Sequence, residues 1–255
     1  MSIRPDSKLV ADIVVSANCE PRRGALKPDM LLLHYTGMLS AKGAIAWLAR
    51  PESKVSCHYV IDVDGRVTQM VPEAMRAWHA GVSNWAGETD INSLSIGIEI
   101  QNPGHELGYQ PFPEAQMQAV AALGLDIVQR HRISPHRVLA HSDVAPLRKI
   151  DPGEKFNWRY LHACGLGAWT EPEQSTSQPV DPLRSGDEGA AVKQVQQLLT
   201  AYGYAVPVSG HYCDTTRRVV TAFQRHYRPT CIDGIADRST LRSLVILVGQ
   251  TGRAS

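Results

Sequence analysis

Residues 169–182 read WTEPEQSTSQPVDP, and this stretch limits the possible folds more than any other. It has three prolines, little apolar content and many small polar side chains, and each proline removes a backbone donor. Such a segment is a linker. It predicts a division into residues 1–168, a linker at 169–182, and residues 183–255. The last piece has roughly the minimum size for an independent core.

The first piece alternates strand and helix signals. Residues 30–33 form a continuous apolar run that ends in His34, as a buried central strand does. Residues 41–49 are helix-like and stop before Pro51. Residues 57–62 and 66–71 flank Asp64-Gly65, a dipeptide suited to a type I′ hairpin turn. From 94 to 101 the pattern alternates strictly. Leu94, Ile96, Ile98 and Ile100 face one way, and Ser95, Gly97, Glu99 and Gln101 the other. Residues 113–130 carry Met117, Val120, Ala121, Gly124 and Val128 along one helical face. Residues 137–140 form a short strand that again ends in a histidine, His141. Hairpin strands interleaved with helices predict an α/β fold, a mixed sheet flanked by helices.

The last piece reads as three helices. Their apolar stripes run through Val192, Val195, Leu199 and Tyr202, then Val219, Val220, Phe223 and Tyr227, then Leu241, Leu244, Val245 and Val248. Asp187, Asp214 and Asp237 are expected N-caps. A net charge of +1 argues against a nucleic-acid partner bound through counterion release. No apolar run approaches the roughly 20 residues that cross a bilayer. The N-terminus shows no apolar core of a secretory signal. Cys19, Cys57, Cys164, Cys213 and Cys231 have neither disulfide-framework nor zinc-ribbon spacing, and pairing of Cys213 with Cys231 stays open.

The chemistry centres on the two strand-end histidines. His34, His141 and Asp151 offer two imidazoles and a carboxylate, a set that suits Zn²⁺ and leaves a fourth position for water. Glu99 stands on the polar side of an apolar strand, two residues after a glycine that clears space. It is a candidate general base, against the plainer reading of a solvated strand face. In an extended segment Lys149 and Asp151 face the same side, so a cation would enter the site with a ligand.

LLLHYTG, VSCHYVIDVDGRV, RAWHAGVSNWAG, NSLSIGIEIQNPG and AHSDVAPLRKIDPG occur in this order. Together they resemble the type 2 N-acetylmuramoyl-L-alanine amidases, over roughly residues 29–169. The resemblance implies that His34, His141 and Asp151 are the zinc ligands, Glu99 the catalytic carboxylate and Lys149 the second catalytic group. It implies one Zn²⁺ per chain and hydrolysis of the bond between N-acetylmuramic acid and L-alanine of peptidoglycan, with zinc-bound water as nucleophile. Tyr35, beside a ligand, is a candidate substrate contact. His58, Trp78 and His79 lie in the shared motifs, where packing and substrate contact are both open.

LRSGDEGAAVKQVQQLLTAYGY, AFQRHYRPT and CIDGIADRSTL resemble the small helical peptidoglycan-binding domains. The expected partners are therefore the peptidoglycan sacculus and muropeptides, with no nucleic acid and no transmembrane segment. A wall anchor points to the periplasm or cell envelope, and the absent signal to the cytoplasm. The competing reading is a non-catalytic peptidoglycan-recognition protein of the same fold, which a complete ligand set disfavours.

Overall fold

The structure, a computed structural model, describes residues 4–25, 27–171 and 181–252. Residues 172–180 of the expected linker lie outside them. The strands are β1 (Asp12–Ile13), β2 (Cys19–Pro21), β3 (Met30–Tyr35), β4 (Tyr59–Ile61), β5 (Val67–Gln69), β6 (Met75–Ala77), β7 (Ser95–Ile100) and β8 (Val138–Ala140). The helices are α1 (Ala41–Leu48), α2 (Ile91–Leu94), α3 (Glu114–His131), α4 (His141–Val144), α5 (Trp158–Ala163), α6 (Ala190–Tyr202), α7 (Asp214–Tyr227) and α8 (Arg238–Gln250).

Six strands form one mixed sheet in the order β1-β5-β4-β7-β3-β8, and β2 pairs with β6 beside it. β3 lies between β7 and β8 and is parallel to both. β7 is therefore central, not an edge. Its Ser95 and the adjoining Gln101 are buried, which removes the solvated-face reading of Glu99. The register sets His34 opposite Glu99. Paired residues project to the same side of a sheet, so these two share a face. On the opposite face Leu31, Leu33, Ile96 and Ile98 join the core with Met117, Val120 and Ile127 of α3. α1 contributes Ala41 and Leu48 to a smaller cluster with Cys57, Val60 and Met70.

Local chemistry differs from expectation at two kinds of position. The hairpin between β4 and β5 is wider than a two-residue turn. Asp62 N–H donates to the Arg66 carbonyl across it, and Gly65 alone takes positive φ. The connection is thus a three-residue loop with a left-handed glycine. Only Asp237 of the three expected caps acts as one, accepting from the Thr240 N–H. Gly189 and Cys213 occupy the other two cap positions. Asp187 instead closes a turn by accepting from Arg184 N–H. All five cysteines are free, so Cys213 and Cys231 do not pair.

The three C-terminal helices pack around Val192, Leu199, Val219, Phe223 and Leu244, and this core is continuous with that of the sheet. Trp85, which follows the RAWHAG motif, meets Tyr202 and Tyr204 edge-on at ring distances of 5.7 and 4.9 Å. Gly203 makes this approach possible. A Cβ there would stand 2.6 Å from the Trp85 ring, and its carbonyl accepts from Ala86 N–H at 2.7 Å.

Candidate metal centre and its cleft

Parallel neighbours present their C-terminal ends at one edge of the sheet. His34 is the fifth residue of β3, and His141 follows β8 directly as the first residue of α4. The loop after α4 returns Asp151 to both, held by the Ser142 N–H, which donates to the Asp151 carbonyl at 3.0 Å. The two Nδ1 atoms lie 2.9 Å apart, and Asp151 Oδ2 is 3.1 Å from His34 and 3.0 Å from His141. All three residues are buried.

This triangle fits a metal ion. Three ligand atoms held about 2 Å from zinc at tetrahedral angles stand roughly 3.3 Å apart. The outward nitrogens have the partners that metal-bound imidazoles require. His141 Nε2–H donates to the Ala80 carbonyl at 3.0 Å. His34 Nε2–H donates to His79 Nδ1 at 3.0 Å, and His79 Nε2–H to Ser95 Oγ at 3.3 Å. The Ser95 hydroxyl ends the string on the Ile91 carbonyl at 2.7 Å. Burial, and next the neighbouring His141, hold His34 down to about 4, so it is a neutral donor. Burial pushes Asp151 up, but the two imidazoles outweigh it and hold the carboxyl below its ordinary range.

His34 was legible in the sequence as a candidate ligand; its support by His79 was not. His79 takes its backbone position from Asn92 Oδ1, which accepts from His79 N–H and Ala80 N–H. Its ring occupies the space above Gly97. A Cβ at Gly97 would lie 2.6 Å from that ring, so the glycine makes room for His79 and not, as expected, for Glu99. A glycine in the middle of a buried strand was the available signal. His58 lies deeper and does not line the cleft. Its Nδ1 accepts from Gly97 N–H at 2.9 Å, and its Nε2–H donates to the Met75 carbonyl. Burial and the Arg22 guanidinium hold it down to about 3.

A cleft of about 500 Å³ opens over the triangle, with Tyr35, Trp78, His79, Glu99, Lys149 and Asp151 among its lining residues. Glu99 Oε2 is buried without a hydrogen-bond partner among the described residues. Burial, then the Asp151 charge, push its carboxyl well up, and Lys149 acts in the opposite direction. Tyr35 OH is 3.1 Å from His105 Nδ1. The arrangement gathers a metal-competent triangle, an unpaired carboxyl and an ammonium on one wall, as metal-assisted hydrolysis requires.

Residues 24–154 match the N-acetylmuramoyl-L-alanine amidase family, and the chain belongs to it as an N-acetylmuramoyl-L-alanine amidase. Residues 188–244 match a putative peptidoglycan binding domain. Among its relatives is the N-acetylmuramoyl-L-alanine amidase AmiD of Escherichia coli K12. It is 37% identical over 266 aligned residues, covering 91% of this chain and 93% of AmiD. The solved complex of that amidase with anhydro-N-acetylmuramic acid-L-Ala-D-gamma-Glu-L-Lys superposes with a TM-score of 0.76, at 35% identity and with 91% and 93% of the two chains covered. AmpDh3 of Pseudomonas aeruginosa superposes at 0.74, with 28% identity over 89% of this chain and 94% of its own. The 1,6-anhydro-N-acetylmuramyl-L-alanine amidase AmpD of Haemophilus influenzae is 42% identical over 112 residues, 43% of this chain and 59% of that protein.

Proposed function

We propose that this amidase cleaves the lactyl–L-alanine amide of peptidoglycan fragments, anhydromuropeptides included, with Zn²⁺ held by His34, His141 and Asp151. One observation carries the reading: the donor triangle, the unpartnered Glu99 carboxyl and Lys149 share a single cleft. A zinc ion there supplies Lewis acidity toward a carbonyl oxygen and toward water.

The residues then divide the work. An amide resists hydrolysis because resonance blunts its carbonyl and the amine leaves poorly. Glu99 removes a proton from the attacking water and returns it to the departing alanine nitrogen. Lys149 offsets the negative charge that develops on the carbonyl oxygen. Tyr35 and Trp78, on the cleft wall, contact the substrate; His79 and His58 act from behind the ligands. The products are a lactyl carboxylate on the sugar and a peptide beginning with L-alanine.

Residues 1–168 constitute the catalytic part and residues 183–255 the peptidoglycan-binding part, joined through 169–182. A polymer-binding part is useful where polymer is present, which places the enzyme at the cell envelope; no described helix is long and apolar enough to cross a membrane. The test is digestion of purified sacculi, and separately of a soluble anhydromuropeptide, with zinc-loaded protein. Peptides with a free L-alanine amine are expected. Full turnover by metal-free protein, or products cut elsewhere, would refute the reading.

A further inference from the structure

α4 is one turn long, and a single turn cannot hold itself, because nucleating a helix fixes several residues for one hydrogen bond. Yet it carries His141, and its Ser142 N–H fixes the Asp151 loop. What holds this turn is Asp143. Its carboxylate is fully buried and accepts three hydrogen bonds, from Ala140 N–H at 2.8 Å, His226 Nδ1–H at 2.7 Å and Tyr204 O–H at 2.5 Å. The Ala140 bond closes the first turn of α4 across its N-terminus. The other two donors lie beyond residue 180.

Both donors are locked. His226 is fully buried on α7, with its ring stacked 3.7 Å from Trp158 and 3.9 Å from Tyr227. Tyr204, which follows α6, stands edge-on against Trp85. At the other end of the turn the Val144 carbonyl accepts from Asn84 N–H at 2.8 Å, one residue from that tryptophan. A buried carboxylate must be paired to be tolerated, so its position follows its donors.

We propose that the C-terminal helical unit is a positioning element of the metal centre. Through Tyr204 and His226 it sets Asp143, Asp143 sets α4, and α4 sets His141 and Asp151. The unit that resembles a wall anchor thus also holds the ligands in place. This rests on the metal reading given above.

The test uses the full chain and two substitutions that keep an aromatic ring. Tyr204→Phe removes one hydroxyl, and His226→Phe keeps the ring stack but removes the donor. His226→Gln, which keeps an N–H, is the rescue. Zinc affinity is measured by competition with a chromogenic chelator, and amide exchange of residues 140–145 in metal-free protein. Both Phe variants should lose about 10–100-fold in zinc affinity, as changes behind metal ligands do. Both should exchange faster at 140–145, and excess zinc should restore kcat with KM unchanged. His226→Gln should lie near wild type. Wild-type zinc affinity and exchange in both Phe variants would overturn the proposal. Wild-type protein that binds no zinc would overturn the metal assignment and this proposal with it, and that measurement precedes any variant.

Discussion

Gly97→Ala adds a single methyl to a buried strand and should disable the support of a candidate ligand. The new Cβ would stand 2.6 Å from Cγ and Nδ1 of His79 and 2.7 Å from Cδ2. Ordinary carbon contacts lie at about 3.5–4.0 Å, so the ring must retreat by roughly 1 Å. It cannot do so freely, because its backbone is held by Asn92 and its Nε2 by Ser95. A retreat of that size lengthens the 3.0 Å bond from His34 beyond hydrogen-bond range. Overpacking costs about 1–3 kcal/mol. For a chain of this length that lowers Tm by about 2–12 °C. Loss of the partner behind His34 should weaken zinc binding about 10–100-fold. The assay is calorimetry of metal-free protein, with chelator competition for zinc. The control is the same substitution in a His79→Ala background, where the clash is absent. There Gly97→Ala should cost less than it does in the wild-type background, a coupling the double-mutant cycle reads directly. Wild-type Tm and zinc affinity in Gly97→Ala, or identical costs in both backgrounds, would refute the reasoning.

Glu99→Gln should keep its zinc, since Glu99 is outside the donor triangle, and lose about 10²–10⁴-fold in turnover on a soluble muropeptide; loss of zinc instead would make Glu99 a ligand. Removal of metal by chelation should abolish turnover and added Zn²⁺ restore it, read with the same substrate. Burial pushes Glu73 up, but Arg130, His131 and Tyr59 outweigh it through hydrogen bonds and hold the carboxyl down to about 2. A depressed carboxyl contributes stability that is present above its unfolded pKa and lost as pH falls. Stability should therefore decline between about pH 4.5 and pH 2 through this group, by on the order of 3 kcal/mol, and Glu73→Gln should flatten that limb of a denaturant-midpoint profile. Metal-free full-length protein should sediment with purified sacculi, and its recovery in the supernatant would count against a wall-binding role.

The candidate site was legible because its chemistry sits where strands end. Two apolar runs that each stop at a histidine announced His34 and His141, and a polar residue within β7 announced Glu99. Strand order was not legible, since a sequence does not say that β3 lies between β7 and β8, and only that order makes the donors meet. His79 was named from a shared motif, but its role behind His34 escaped because it arrives on a loop, where periodicity carries no information. The hairpin turn failed at the level of one residue, as Gly65 takes the left-handed position in a longer loop. Two of the three aspartates near helix starts do other work, because a cap depends on backbone geometry as well as residue type. The composition of 169–182 predicts a joint in the chain and says nothing of whether the pieces on either side touch; Trp169, at its start, is buried in the core. The contacts of Trp85 with Tyr202 and Tyr204 arise from side chains more than a hundred residues apart.

The parallel pairing of β3 with β8, which brings His34 and His141 together, also gives the protein a chronology. A one-residue slip between neighbouring strands moves a side chain about 3.3 Å along the sheet and turns it to the other face. Metal–ligand distances tolerate roughly 0.2 Å. On the proposed zinc assignment, an ion gripped by His34 at the end of β3 and His141 after β8 would be a gauge of correct strand alignment. A chain still searching for its pairing presents no such grip. On that assignment, tight capture would follow the long-range parallel contacts, which form slowly. Metal competence would then mark a copy whose strand order is complete.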